Sequence, residues 1–104
     1  MSKLVLDKTA IVTGGGQGMG RVMALGLLRA GARVAIADVD GAALAEVAAE
    51  VRGAGKERAL LTVIADLTQE ESAARVVKQT IETFGRVDIL VNNAGIGQET
   101  IRRT

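Results

Sequence analysis

The 104-residue sequence has no cysteine, no histidine, no tyrosine and no proline. Without cysteine there is neither a disulfide nor a thiolate nucleophile, and without histidine there is no imidazole base; together the two absences remove most transition-metal sites. No metal site is expected. Charge of one sign is also missing: 13 basic and 12 acidic side chains give a net charge of +1. They are scattered, so no basic stripe is available to grip a nucleic-acid backbone. No apolar stretch exceeds a few residues, and the N-terminal MSKLVLDKTA lacks the apolar core and cleavage site of a signal peptide. Neither a nucleic acid nor a membrane is expected as a partner, and a cytoplasmic location is the default.

What is present is an ordinary globular balance, with 48% hydrophobic and 24% charged residues. The length accommodates one domain or part of one. Four runs rich in Val, Ile and Leu stand out, at Thr9 to Thr13, Arg33 to Asp38, Leu60 to Asp66 and Val87 to Asn92. Continuous apolar runs of about five to seven residues fit strands buried on both faces of a parallel sheet. Three helical stretches lie between them. The first runs from Gly18 to Ala30, apolar nearly all round, and is closed by Gly31. The second aligns Ala43, Leu44, Val47, Ala48 and Val51 on one face. The third has Thr68 as N-cap with Glu71 three residues on, aligns Ala73, Val76, Val77, Ile81 and Phe84, and ends at Gly85.

The order βαβαβαβ predicts an α/β fold, a Rossmann-type doubly wound parallel sheet with strand order 3-2-1-4. Helices one and two should cover one face and helix three alone the other. In that order the chain reverses its direction of travel between strands one and four, so the loops after those strands flank a crevice. With strand four as the last strand, the apolar segment Val87 to Val91 forms a sheet edge, and self-association through that edge or through the thinly covered face is expected. The tail from Gln98 to Thr104 is expected to be flexible.

Strand one leads directly into Thr13-Gly14-Gly15-Gly16-Gln17-Gly18-Met19-Gly20 and then a helix. A diphosphate needs backbone N–H donors at close range, the positive end of a helix dipole and no Cβ atoms in the way. Gly14 is assigned to the tight turn, Gly18 to the close approach of the diphosphate, and Gly20 to the contact of helix one with the sheet. Asp38 ends strand two, eighteen residues beyond Gly20. A carboxylate there accepts hydrogen bonds from both hydroxyls of an adenosine ribose, which favours NAD. A 2′-phosphate would face that charge, and Gln17 and Val39 nearby supply no cation to offset it. The other reading of Asp38 is a cap of the second helix, a role Asp40 could take instead. Asp66, at the end of strand three, reads either as a ligand contact or as a polar strand-end residue. Asn92-Asn93-Ala94-Gly95, at the end of strand four, reads as the second wall of the crevice or as a simple turn.

Taken together, the TGxxxGxG pattern of residues 13 to 20, Asp66 after an apolar strand, and NNAG at 92 to 95 resemble the short-chain dehydrogenase/reductase family. The resemblance covers essentially the whole chain but only the front, cofactor-binding part of the family's domain. It implies that Gly14, Gly16, Gln17, Gly18, Met19 and Gly20 line the diphosphate, that Asp38 and Val39 lie at the adenosine ribose, and that Asp66 and Leu67 border the adenine. It further implies that Asn93, Ala94, Gly95 and Ile96 approach the nicotinamide side, with Asn92 bracing the sheet. The implied chemistry is hydride transfer between a nicotinamide and an alcohol or ketone substrate, using a Tyr, a Lys four residues later and a Ser. No Tyr is present, and the only serines are Ser2 and Ser72. No catalytic residue is therefore assigned, and the chain is expected to be a fragment, inactive alone, whose function is cofactor binding completed by a longer or complementing chain. The alternative is a non-catalytic nucleotide-binding or assembly module.

Overall fold

The computed structural model describes residues 4–93 and the strand at 100–103. The elements are β1 (Thr9–Thr13), α1 (Gly18–Arg29), β2 (Arg33–Asp38), α2 (Gly41–Gly53), a 3-10 turn at Glu57–Ala59, β3 (Leu60–Ile64), α3 (Glu70–Phe84), β4 (Ile89–Asn92) and β5 (Thr100–Arg103). They build one five-stranded sheet in the order β3-β2-β1-β4-β5. The first four strands run parallel, in the predicted order 3-2-1-4.

The apolar runs of β1 and β2 are strands because both of their faces are covered. All five residues of β1 are buried, and alternate side chains of β1 and β2 enter separate cores. Val12, Val34 and Ile36 pack with Leu27, Leu28, Leu44, Val47 and Val51 of α1 and α2, whereas Ile11, Ala35 and Ala37 pack with Val63 and with Val76 of α3. Two helices on one face and one on the other is the arrangement the sequence predicts. Its consequence for α3 was not legible: only Val76 and Thr80 of that helix are buried, while Val77 and Ile81 are 42% and 48% exposed. A single helix cannot cover a sheet face four or five strands wide, so half of its apolar stripe faces outward.

The helix ends show how local chemistry sets the boundaries. Helix α1 stops at a Schellman arrangement, with Gly31 at φ 93°. Gly31 N donates to Leu28 O and Ala32 N to Leu27 O, both at 3.0 Å. At α2 the cap is Asp40, whose carboxylate accepts from Ala43 N at 3.0 Å, which leaves Asp38 free of that role. The capping expectation for Thr68 is corrected: α3 begins at Glu70 behind Gln69. Thr68 instead closes a turn, donating from both its backbone N and its hydroxyl to Asp66 Oδ1, at 3.0 and 2.6 Å.

The expected free edge at strand four needs correction. Residues 100–103 form β5, antiparallel to β4 with Val91 opposite Ile101. A parallel strand with an unpaired row of amides and carbonyls is an available template, and a chain segment returning beside it satisfies those groups. The polar sequence of the tail carried no sign of this, because pairing to an edge depends on the partner rather than on periodicity.

Strands β1 and β4 are locked at their N-terminal ends by Asp88. Its backbone N donates to Thr9 O at 2.8 Å, and its carboxylate accepts from Thr9 N at 2.9 Å. Arg86 donates to the other carboxylate oxygen at 2.6 Å. The Arg86 bond, helped by the Thr9 amide, holds the Asp88 carboxyl below the usual carboxylate range against the opposing effect of burial. This clamp sets the register that brings Thr13 level with Asn92, and on the other side of β1 Thr13 pairs with Ala37. The C-terminal ends of four strands therefore meet along one edge. No helix among the described residues is long and apolar enough to cross a membrane.

Candidate functional site

A cleft of about 480 Å³ opens along that edge. Gly14 lines it from the end of β1, Ala37, Asp38 and Val39 from β2, Ala65, Asp66, Leu67 and Thr68 from the segment after β3, and Asn92 from β4. Five residues singled out from the sequence, Gly14, Asp38, Val39, Asp66 and Leu67, are thus brought together from three separate strand ends. Ala37, Ala65 and Thr68 were missed as lining residues. Their signal was positional: Ala37 and Ala65 directly precede the two aspartates and are small enough to leave room beside them.

The glycine loop is shaped by the absence of side chains at specific points. Gly14 has φ 66°, which only glycine adopts without strain, and its N donates to Ala37 O at 2.7 Å. At Gly20, on the first turn of α1, a Cβ would overlap the Gly14 carbonyl oxygen and lie 2.6 Å from Asn93 Nδ2. The sequence assigned Gly20 to the contact of helix and sheet, and the surface it meets is more specific: the turn after β1 and the residue after β4. Gly18, with φ 55°, has nothing within 4 Å of where its Cβ would be. Open space thus lies beside the start of α1, where the N-cap Gln17 makes no side-chain bond to the helix and no acidic side chain occupies the first turn. Gly16, Gln17, Gly18, Met19 and Gly20 do not themselves line the cleft; Gly16 is tied to it through its bond to Asp38, while Gln17 bonds to Asp40 outside it.

Asp38 is buried, 8% exposed. Its Oδ2 accepts from Gly16 N and its Oδ1 from Asp40 N, each at 3.1 Å. Two donors occupy roughly half the lone-pair sites of a carboxylate, so capacity remains for further donors. Asp66 is exposed, and the Thr68 hydroxyl, seconded by the Thr68 backbone N–H, holds its carboxyl below the ordinary value. Both aspartates face the cleft, and no Lys or Arg is among its described lining residues.

On the opposite side of β1, the Thr13 hydroxyl accepts from Asn93 N at 2.8 Å and lies 3.0 Å from Asn92 Oδ1 as donor. Asn93 Nδ2 reaches Gly14 O at 3.5 Å. The end of β4 is in this way bolted to the start of the glycine loop. Of the NNAG segment, Asn92 lines the cleft and Asn93 is bonded to Thr13 and Gly14 beside it, while Ala94, Gly95 and Ile96 lie outside the described residues.

The family model for short chain dehydrogenases matches residues 8–104. The chain belongs to the short-chain dehydrogenase family. Among its relatives, a CLA biosynthesis dehydrogenase/reductase from Lactiplantibacillus plantarum is 41% identical over 90 residues, covering 86% of this chain and 31% of that protein. The solved structure of a glucose dehydrogenase of Caenorhabditis elegans, in its apo-form, superposes with a TM-score of 0.83 at 37% identity, covering 88% of this chain and 39% of that one. A 3-ketoacyl-(acyl-carrier-protein) reductase from Brucella melitensis, complexed with NADH, gives 0.80 at 41% identity, over 90% of this chain and 36% of that one. The chain spans about a third of the length of the curated relatives it matches. Short-chain dehydrogenase membership, the parallel order 3-2-1-4 and the glycine-rich bend from sheet to helix therefore agree.

Proposed function

We propose that this chain is the NAD-binding part of a short-chain dehydrogenase, seating the adenosine end of the dinucleotide at Asp38 and its diphosphate at the start of α1. The observation that carries the reading is the position of the Asp38 carboxylate, buried at the cleft wall and next to the glycine loop through Gly16 N. The open space at Gly18 and the uncapped, uncharged first turn of α1 fit a diphosphate, which would meet helix N–H groups and the positive end of the dipole. Leu67 and Val39 supply apolar borders for an adenine. NAD is favoured over NADP because a 2′-phosphate would meet Asp38 with no cation in the cleft to offset it.

The bound nicotinamide would exchange a hydride with an alcohol or ketone in the complete enzyme. This chain contributes binding and orientation; it holds no Tyr, His or Cys to move the proton. Calorimetric titration of the folded chain tests the reading. NAD is expected to give saturable heat, and at ten times its Kd to stabilise the fold by about 1.4 kcal/mol, raising Tm by several degrees. NADP at the same concentrations is expected to bind at least tenfold more weakly. A chain with helical circular dichroism that shows neither heat nor a thermal shift at millimolar NAD would remove the proposal.

A second reading, association with another copy or a complementing chain, is favoured by the face that α3 covers alone. There a groove of about 160 Å³ runs between α3 and the sheet, lined by Ile11, Leu67, Val76, Val77 and Leu90 among others, with exposed Ile81 alongside. Sedimentation at high micromolar concentration is expected to show a dimer that Ile81→Lys dissociates. A strictly monomeric profile contradicts it.

A further inference from the structure

The first three amides of the glycine loop are turned toward β2. Gly14 N and Gly15 N donate to Ala37 O at 2.7 and 3.4 Å, and Gly16 N donates to Asp38 Oδ2 at 3.1 Å. From Asp38 the bonds continue, since its Oδ1 accepts from Asp40 N at 3.1 Å. The Asp40 carboxylate divides its two oxygens: Oδ1 caps α2 through Ala43 N, and Oδ2 accepts from Gln17 Nε2 at 3.3 Å. Gln17 follows Gly16 in the chain, so the path closes on itself. Gly16, Asp38, Asp40 and Gln17 form a hydrogen-bonded ring that joins the phosphate loop, the end of β2 and the start of α2.

Glycine at position 16 is a condition of this ring. A Cβ there would lie 3.0 Å from Asp38 Oδ2 and 3.0 Å from Ala43 Cβ, so the loop amide reaches the carboxylate only because nothing projects from Cα. A carboxylate free to rotate can turn away from an incoming phosphate and be solvated. One held at both oxygens cannot, and its repulsion toward a 2′-phosphate is then unrelieved. The same fixation removes the cost of ordering the acceptor when a ribose hydroxyl arrives.

We propose that Gly16, Gln17 and Asp40 are positioning residues, and that the ring they form around Asp38 sets the discrimination between a nucleotide with a free ribose 2′-hydroxyl and one carrying a 2′-phosphate. The inference rests on reading the cleft as a dinucleotide seat. It gives the Gln17 side chain a role through Asp40, distinct from lining the diphosphate.

The test is Gln17→Ala in the full chain, titrated by NMR with three probes. Adenosine 5′-monophosphate and adenosine 2′,5′-bisphosphate differ only at the 2′ position, and inorganic pyrophosphate reports on the loop alone. The preference for the monophosphate over the bisphosphate is expected to fall about three- to fivefold, over and above any change in pyrophosphate affinity. Asp40→Asn, which keeps an oxygen for the Ala43 cap and an amide that can pair with Gln17, is expected to retain most of the preference. An unchanged preference in Gln17→Ala, or equal weakening of all three probes, would overturn the ring while leaving the dinucleotide seat standing. If the wild-type chain binds no nucleotide, the seat itself fails. The ring is then judged by amide exchange: a Gly16 amide protected in the wild type and deprotected by Gln17→Ala supports it, and an unprotected one refutes it.

Discussion

Gly20→Ala is expected to destabilise the fold by about 3 kcal/mol, the upper part of the usual range for overpacking. Position 20 is helical, and on intrinsic propensity alone alanine would gain about 1 kcal/mol there. Packing decides the sign. The added Cβ would overlap the carbonyl oxygen of Gly14, a backbone atom in a turn pinned by the Gly14 N bond to Ala37 O, and would crowd Asn93 Nδ2 at 2.6 Å. The Asn93 amide is a side-chain end and can give way, but the Gly14 carbonyl is backbone and cannot, so α1 must shift away from the end of β1. Because a domain this small has a total stability on the order of 5 kcal/mol, the change takes most of it. With a urea m-value of about 1.5 kcal/mol/M, the midpoint would fall by roughly 2 M. NAD affinity should drop with it by at least tenfold, since the helix N–H groups move relative to Asp38. Gly53→Ala is the matched control. Position 53 ends α2 with nothing within 4 Å of the added atom, and alanine there is expected to stabilise by about 0.5–1 kcal/mol. A Gly20→Ala midpoint within about 0.3 M of the wild type would show that the contact is not rigid and would undo the argument.

The contrast between those two glycines also marks what the sequence could convey. Strands β1 and β2 were legible to the residue because burial on both faces forces an uninterrupted apolar run, and the glycine loop was legible because a bend from sheet to helix at close quarters admits no side chain. Asp38 and Asp66 were legible as strand-end carboxylates facing one crevice. The partners that orient them were not. Nothing in local spacing says that Gly16 N donates to Asp38, that Asp40 both caps α2 and receives Gln17, or that Thr68 serves Asp66 instead of α3. Each is a contact between segments or a choice between two local turns of similar energy. The outward-facing Val77 and Ile81 escaped notice for a related reason: helical periodicity reveals an apolar stripe but not how much sheet there is for it to cover. Strand β5 shows the limit most plainly, since its pairing is supplied by β4.

A contact between Gly15 and Ile36 offers a sharper trial of the same packing logic, because it couples the loop to the core. Ile36 is fully buried among α1, α2 and the central strands. Ile36→Ala is expected to cost about 3–4 kcal/mol, from lost apolar burial plus the cavity left behind. Gly15 lies directly above it, and a Cβ at position 15 would come within 2.7 Å of Ile36 Cγ2 and 2.8 Å of Ile36 Cβ. Its backbone φ is not in the left-handed region, so alanine meets no conformational penalty, and Gly15→Ala alone should cost about 2 kcal/mol through the clash. In the double variant Cγ2, the nearer of the two clashing Ile36 atoms, is gone and the new methyl partly fills the vacated space. The combined loss is therefore expected to be smaller than the sum of the two by about 1–2 kcal/mol, as coupling between touching residues allows. Relief is incomplete because the Cβ that alanine keeps at position 36, 2.8 Å from the added Cβ, and the Val12 carbonyl oxygen, 3.2 Å from it, both remain in place. Denaturant unfolding of the four proteins measures the coupling directly. Strict additivity would mean that the loop and β2 yield independently, and the rigid joint between the glycine loop and the core beside Asp38 would have to be abandoned.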